Sequence, residues 1–377
     1  MKIAIDINEL TNPFPSGVKT YTKEIINALL EVDQKNEYFL YARKNAGRGV
    51  LQYASAKNCH LKILKWPLPF WTYTRFAREI KKQKPDILFM PIQSVPFLIS
   101  KPKKIKIIVT VHDLAFLKFP KHFIFKKRFL LNWHTRRAAK MADRIIVPSR
   151  ATKNDLVDLC GVSANKIKVI YHGYGKNYSA DRNIKFYVPA TDNYFLFVGT
   201  IQPRKNIINL IKAFEIFKKN FKNPSNSLLQ EGNLKLVIVG GRGWLWRETV
   251  ERIKKSPVEK DIILTGAVSD QELSELYSRA KIFVLPSLYE GFGLPILDAF
   301  FYGIPAIVSN NSSLKEIVGG AGLPVNPNNP EEISAAIKKV IENNDLRNSL
   351  IEKGKRRLKD FSWEKSAREH LEVFERC

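Results

Sequence analysis

Cysteine is scarce in this chain: Cys59, Cys160 and Cys377 are the only three in 377 residues, at unrelated spacings. So few, and an odd number, exclude a disulfide framework and a cysteine-rich zinc site, and they fit a reducing cytoplasm. Long apolar runs are missing as well, and no window reaches the roughly 18 apolar residues that a membrane-spanning helix needs. The opening "MKIAIDINEL" alternates like a first strand and lacks the apolar stretch of a signal peptide. A cytoplasmic protein is therefore expected, free or held at the inner face of the cell membrane. No heptad, short repeat or low-complexity tract occurs, nor any Asp-x-Asp triplet, the carboxylate pair that commonly holds a diphosphate through a metal. Acidic residues are rare in one half only. Residues 1–180 carry 33 Lys and Arg against 12 Asp and Glu, residues 181–377 carry 29 against 24, and the whole chain is at +26. Such asymmetry points to an anionic partner on the first half: a membrane face, a nucleic acid or a polyanionic substrate.

What is present is an ordinary globular composition, 45% hydrophobic and 26% charged, long enough for two domains with full cores. Apolar strand-like runs alternate with amphipathic helical stretches throughout. "KIAIDI", "KIKIIVTVHD", "RIIVPS" and "KIKVIYHG" read as strands of the first half, with helices over 18–31, 126–140 and 149–160. "YFLFVGT", "LKLVIVGG", "DIILTG", "KIFVLPS" and "IPAIVS" read as strands of the second, with helices such as 205–219, 269–279 and 295–302. Continuous apolar strands separated by helices mean parallel sheets covered on both faces. The fold class is thus α/β, two doubly wound Rossmann-like domains facing across a cleft. The divisions are an N-terminal domain over 1–174, a polar linker over 175–193, a C-terminal domain over 194–360 and a last helix over 361–377. "KNPSNSLLQEGN", residues 222–233, reads as an exposed insertion.

Three stretches of the second half end a strand and turn into a helix. In "FLFVGTIQPRKNI", Gly199 ends the strand, and Arg204 and Lys205 open the helix. Adjacent cations beside free helix N–H groups suit a diphosphate, although a solvated charge pair would look the same. "LVIVGGRGWLW" departs from the dinucleotide fingerprint and reads as a tight turn. In "PSLYEGFGLPILDAFFYG", two acids, Glu290 and Asp298, flank a Gly-rich turn, with Pro295 suited to a helix start. Acids beside an anion site need another task, and accepting hydrogen bonds from sugar hydroxyls is one. The plain alternatives are a capping role for Glu290, a first-turn acid at Asp298 and a strand-end His112 bonded locally.

"EGFGLPILDAF" resembles the E-x7-E signature of the retaining, GT-B-fold glycosyltransferases of family 4 (glycosyl transferases group 1). "SGVKTYTKEIINAL", "VTVHDLAF", "VPSRATKNDL", "VGTIQPRKN", "GAVSDQELSELYSRA" and "NSSLKEIVGGAGLPVNP" resemble further family motifs in the same order, over nearly the whole chain. The resemblance implies a GT-B fold whose last helix returns to the N-terminal domain. It implies that Glu290 holds hydroxyls of the donor sugar and Asp298 the nucleotide ribose. Gly291, Phe292, Gly293 and Leu294 would offer backbone contacts to sugar and phosphate, and Arg204 and Lys205 would stabilise the leaving diphosphate. His112 would lie beside the donor sugar, Gly17 and Val18 would close over the phosphates from the first domain, and Val268 would sit near the base. Two positions depart from the pattern: Asp298 is one methylene shorter than the family's Glu, and Thr200 stands where many relatives carry Arg.

The resemblance further implies transfer of a hexose with retention from a nucleotide-diphosphate sugar, GDP-mannose rather than UDP-glucose. The acceptor would be a glycan or lipid-linked glycan of cell-surface polysaccharide. No metal and no further cofactor are expected, since Arg204, Lys205 and helix N-termini can neutralise the leaving group. In relatives the first domain binds the acceptor, and here it carries the excess charge. "KWPLPFWTYTRFAREIKKQK" (65–84) mixes Trp66, Phe70, Trp71 and Tyr73 with cations, and "KFPKHFIFKKRFLLNWHTRRAAK" (118–140) does the same. Both read either as surfaces for an anionic bilayer or as core-facing helices with solvated basic faces. A glycogen-synthase-like polymerising glucosyltransferase and a non-catalytic polyanion or nucleic-acid binder are the alternative readings; no nucleic acid is expected on the first.

Overall fold

Seven strands pair in parallel: β1 (Lys2–Asp6), β2 (Glu37–Ala42), β3 (Cys59–Ile63), β4 (Ile87–Met90), β5 (Lys106–Thr110), β6 (Arg144–Val147) and β7 (Ile167–Val169). Their order is β3-β2-β1-β4-β5-β6-β7. A second parallel sheet has the order β10-β9-β8-β11-β12-β13. Its strands are β8 (Tyr194–Val198), β9 (Lys235–Val239), β10 (Ile262–Gly266), β11 (Ile282–Leu285), β12 (Ala306–Ser309) and β13 (Gly322–Val325). This is a computed structural model, and it describes residues 1–12, 16–44, 48–65, 71–96, 105–175, 193–221 and 234–377. The greater part of the expected linker (176–192), the insertion 222–233, Trp66 and Phe70 lie outside the described residues.

The two sheets belong to two separate units. One comprises Met1–Pro120, Phe125–Gly173 and Phe361–Cys377, the other Lys121–Ile124 and Tyr174–Asp360. In each, the chain lays strands outward on one side and then crosses back, which leaves a reversal between β1 and β4 and another between β8 and β11. Ligands of doubly wound sheets bind outside the carboxyl ends of strands at such a reversal. The central strands Ile87–Met90 and Ile282–Leu285 are buried at every position, as strands covered on both faces must be. Four strands escaped the sequence pattern: β2, β3, β4 and β13. The segment Gly322–Val325 contains Pro324, which a central strand would reject, and it sits at the sheet edge where proline is tolerated.

The last helix, Trp363–Glu375, packs within the first unit against helix Gly17–Val32. Tyr21, Ile25, Ile26 and Leu29 form one buried face of that earlier helix, and Trp363, Ala367, Val373 and Phe374 answer from the other. A directed polar chain fixes the contact. His370 Nδ1 lies 2.7 Å from the Ser366 carbonyl oxygen, which can only accept, so Nδ1 carries the proton. Nε2 then accepts from the Tyr21 hydroxyl at 2.8 Å, and that hydroxyl in turn accepts from Thr110 at 2.9 Å. Burial holds the His370 pKa down at about 4, so the ring is neutral. Gly173 is required at the foot of this helix, because a Cβ there would stand 2.1 Å from the Trp363 backbone nitrogen. Gly173→Ala is expected to destabilise the protein by about 1–3 kcal/mol, read as a fall in thermal midpoint.

Of the stretch 65–84, the described residues 71–84 turn Trp71, Phe76 and Ile80 into the core, as the second of its two readings expects. Trp71 is buried, stacks on Phe76 with ring centroids 5.1 Å apart, and donates its indole N–H to the Leu64 carbonyl at 2.8 Å. Helix Arg75–Gln83 buries Phe76, Ala77 and Ile80 and leaves its cations to solvent.

Candidate active site

The carboxyl ends of β8 and β11 are neighbours at the reversal of the second sheet. After β8 the chain passes Gly199 and Thr200 into a short helical turn, Pro203–Lys205, and then helix Ile207–Asn220. After β11 it passes Glu290 and the Gly turn into helix Leu294–Phe301. The two loops are stitched together by backbone and amide bonds. Leu288 N–H donates to the Arg204 carbonyl at 2.9 Å, and Asn206 Nδ2 donates to Pro286 at 2.9 Å and Pro327 at 2.6 Å. A third segment clamps the turn: the Ser313 hydroxyl donates to the Glu290 carbonyl at 2.8 Å and the Phe292 carbonyl at 3.0 Å. The Ser312 hydroxyl accepts from the Glu290 N–H at 3.1 Å. Gly293 precedes the helix at φ 109°, and a Cβ there would meet Leu314 at 2.8 Å, so only glycine fits this close turn.

Inside this frame, Glu290 is ion-paired on both oxygens. Lys205 Nζ lies 2.5 Å from Oε1 and Arg204 Nη1 lies 2.9 Å from Oε2. Arg204 also donates to the Tyr289 carbonyl. All three residues are less than a tenth exposed. Burial by itself would raise the Glu290 pKa, but the Lys205 and Arg204 charges outweigh it and bring it to about 2. The carboxylate is therefore ionised at any working pH, and with about four lone-pair positions it can still accept from hydroxyls. One acid against two cations leaves an excess positive charge, reinforced by the N-termini of helices Ile207–Asn220 and Leu294–Phe301. The site suits a diphosphate next to a polyol.

Both plain alternatives for this cluster are overturned. Arg204 and Lys205 are buried rather than solvated, because each has a carboxylate to compensate its desolvation. Glu290 caps no helix; the capping position is Gly293, which carries no side-chain bond. Nor is Asp298 a first-turn acid. It is the fifth residue of helix Leu294–Phe301, 4% exposed, and its charge adds to burial in raising the pKa values of Tyr174 and Tyr302. Glu290, Arg204 and Lys205 thus come together, and Asp298 follows on the next helix.

The remaining expected residues of this unit ring the same sheet edge. Thr200 is exposed just past β8, Val268 half-buried just past β10, and Gly291, Phe292 and Gly293 are buried with the half-buried Leu294 following. The loop of "GGRGWLW" is tied to the Thr200 loop by Ile201 N–H to Gly241 at 2.9 Å and Gly243 N–H to Ile201 at 3.0 Å. Its Trp244 donates to the His122 carbonyl and packs on Phe123, centroids 5.0 Å apart. In the first unit, Gly17 and Val18 open helix Gly17–Val32, whose capping Ser16 hydroxyl accepts from Lys19 N–H at 3.1 Å. His112 lies just beyond β5, and its Nε2 donates to the Pro91 carbonyl at 2.8 Å, just beyond β4. Burial lowers its pKa against the opposing effects of that bond and of Asp113. Burial favours the neutral ring, in which, with Nε2 donating, Nδ1 is the acceptor. Sequence reasoning passed over Ser312, Ser313, Asn206 and Ser287, the side chains that hold the turn or border its acid. All four lie inside the quoted motifs, but nothing in the local pattern assigned them a role.

Comparison with known proteins settles the class. A model of "Glycosyl transferases group 1" matches residues 181–357, and one of "Glycosyltransferase Family 4" matches residues 15–175. A glycosyltransferase of Methanocaldococcus jannaschii is 30% identical over 290 residues, 73% of this chain and 69% of the relative. The chain belongs to the GT-B-fold glycosyltransferases. This glycosyltransferase is also 29% identical over 277 residues to the O-antigen chain mannosyltransferase B of Escherichia coli, covering 71% of this chain and 69% of the relative. Its fold is that of HepE of Anabaena, solved in complex with UDP-glucose. The TM-score is 0.72 at 15% identity, with both chains covered in full. In this glycosyltransferase the Glu290 cluster occupies the sheet reversal of the unit matched by the group 1 model.

Proposed function

We propose that the protein transfers a hexosyl group, mannosyl in the first instance, from a nucleoside-diphosphate sugar to a hydroxyl of a glycan or lipid-linked glycan. The observation that carries this reading is the buried Glu290–Arg204–Lys205 cluster at the β8/β11 reversal. Arg204 and Lys205 hold the diphosphate and need no metal to neutralise it. Glu290 fixes these cations and accepts from hydroxyls of the sugar. Neutral His112 offers Nδ1 to a sugar hydroxyl, Gly17 and Val18 meet the phosphates, and Asp298 takes the ribose, directly or through a water. In the reaction the anomeric C–O bond to phosphate breaks and a C–O bond to the acceptor oxygen forms on the same face. The acceptor proton passes to the departing phosphate oxygen. Two relatives are O-antigen chain mannosyltransferases by name, which supports the mannosyl reading and a place in cell-surface polysaccharide synthesis; GDP-mannose is the donor and the inner face of the cell membrane the location on this reading. The first unit, with most of the positive charge, takes the acceptor and touches the bilayer.

Calorimetry with GDP, UDP and ADP in EDTA tests the donor site. Wild type is expected to bind GDP, and Asp298→Asn to bind it at least about tenfold more weakly, the worth of a charged hydrogen bond. Folded protein that binds none of the three would sink the site assignment, and preference for UDP would replace the mannosyl reading with a glucosyl one.

A further inference from the structure

Helix Phe125–Met141 is turned inside out relative to an ordinary surface helix. The side chains it buries are Thr135 and Ala138, while Phe125, Phe129, Leu130 and Trp133 are 69%, 63%, 52% and 38% exposed. Phe125, Phe129 and Trp133 recur at intervals of four and so line one stripe, with Leu130 beside it. At 100° per residue, Lys126, Arg136 and Lys140 fall on the same outward face, and all three are exposed. Apolar side chains scattered singly need no explanation, but four large ones grouped on one helix do.

We propose that this face docks on an anionic lipid bilayer, the helix lying in the interfacial plane with its three aromatic rings and Leu130 among the headgroups and upper acyl chains. The inference deepens the bilayer contact of the functional reading by naming the surface that makes it, and it rests on that reading only for the identity of the acceptor. Charge selects the occupant. Three cations stand around the apolar stripe, and residues 1–180 carry 33 basic against 12 acidic residues. A second copy of the chain would bring like charges face to face, whereas phosphatidylglycerol or cardiolipin headgroups neutralise them while the rings leave water. Phenylalanine and tryptophan beside lysine and arginine also match the chemistry of the interface. No helix among the described residues is long and apolar enough to cross a membrane, so contact of this kind is peripheral.

Flotation of the full chain with vesicles tests the surface. Wild type is expected to float with vesicles rich in phosphatidylglycerol and to remain in solution with phosphatidylcholine alone. The triple substitution Phe125→Ser, Phe129→Ser, Trp133→Ser is expected to lower partitioning by at least about tenfold while nucleotide binding stays as in wild type. Tryptophan emission should shift to the blue on adding the anionic vesicles, and Trp133→Phe should remove most of that shift. Equal flotation of wild type and the triple variant would overturn the proposal. So would a concentration-dependent dimer that the triple variant abolishes, which would assign the face to a second copy. Lipid-selective flotation by a protein that binds no nucleotide would leave this proposal standing and remove the donor reading instead.

Discussion

Replacing Lys205 with alanine is expected to lower glycosyl transfer by about 100-fold or more, the usual cost of removing one preorganised group aimed at developing charge. Lys205 Nζ is held 2.5 Å from Glu290 Oε1 in a buried site, so its charge needs no reorganisation as the diphosphate departs. Measured kcat should fall more than nucleotide affinity, because the charge matters most when the C–O bond breaks. Lys205→Arg should recover only part of the rate, since a planar fork cannot reproduce a compact ammonium. Lys205→Ala also removes the largest charge holding the Glu290 pKa near 2. A carboxylate with a depressed folded pKa contributes stability that is present above its ordinary 4.5 and lost as pH falls through about 2. Acid unfolding of Lys205→Ala is therefore expected to begin at higher pH than that of wild type. An unchanged rate in Lys205→Ala would remove this lysine from the reaction.

Asp6→Asn is expected to stabilise the protein by up to about 4 kcal/mol at pH 8. Asp6 ends β1 at the reversal of the first sheet, 5% exposed, with one oxygen accepting from the Asn8 N–H at 2.8 Å. Burial raises its pKa from 3.8 to about 7, the Asn8 bond opposes this, and Glu9 adds to it. A raised folded pKa means stability that is full below 3.8 and lost as pH rises through about 7. Asparagine keeps the acceptor for Asn8 and has no charge to desolvate. His370 works in the opposite sense. Its pKa falls from 6.5 to about 4, so its stabilisation is full above 6.5 and lost as pH falls through about 4. The Asp6 and His370 slopes oppose each other between roughly pH 4 and 6.5, and buried His112 and His172, whose pKa values burial also lowers, add to the His370 side. Denaturant unfolding across that range should show Asp6→Asn losing stability with acid more steeply than wild type does. Equal stability of the two proteins at pH 8 would mean that the carboxylate is solvated.

Much of this architecture is written locally. The "IIV" of "KIIVT" and the run "YFLFV" are apolar at successive positions, which a strand covered on both faces requires, and the helical spacing between such runs forces crossovers and parallel pairing. The Gly turn, Pro295 and the acids on either side of them also announce themselves, because turn and cap chemistry depends on residues within a few positions of each other. The two edge strands among those missed are instructive. "CHLKI" and "GLPV" lie at sheet edges, where one side faces solvent or a proline is tolerated, so the apolar signal is weak.

The sequence by itself determined two parallel sheets, a glycine turn opening a helix, and a basic first half. Only the tertiary structure decided that Glu290 meets Arg204 and Lys205, residues 86 and 85 positions away. That meeting depends on β8 and β11 being neighbours, and strand order comes from long-range packing that no local pattern encodes. It also sorted two stretches of similar composition, turning Trp71 into the core and Trp133 out to solvent. Which face of a helix meets its sheet is settled by what the neighbouring elements leave room for.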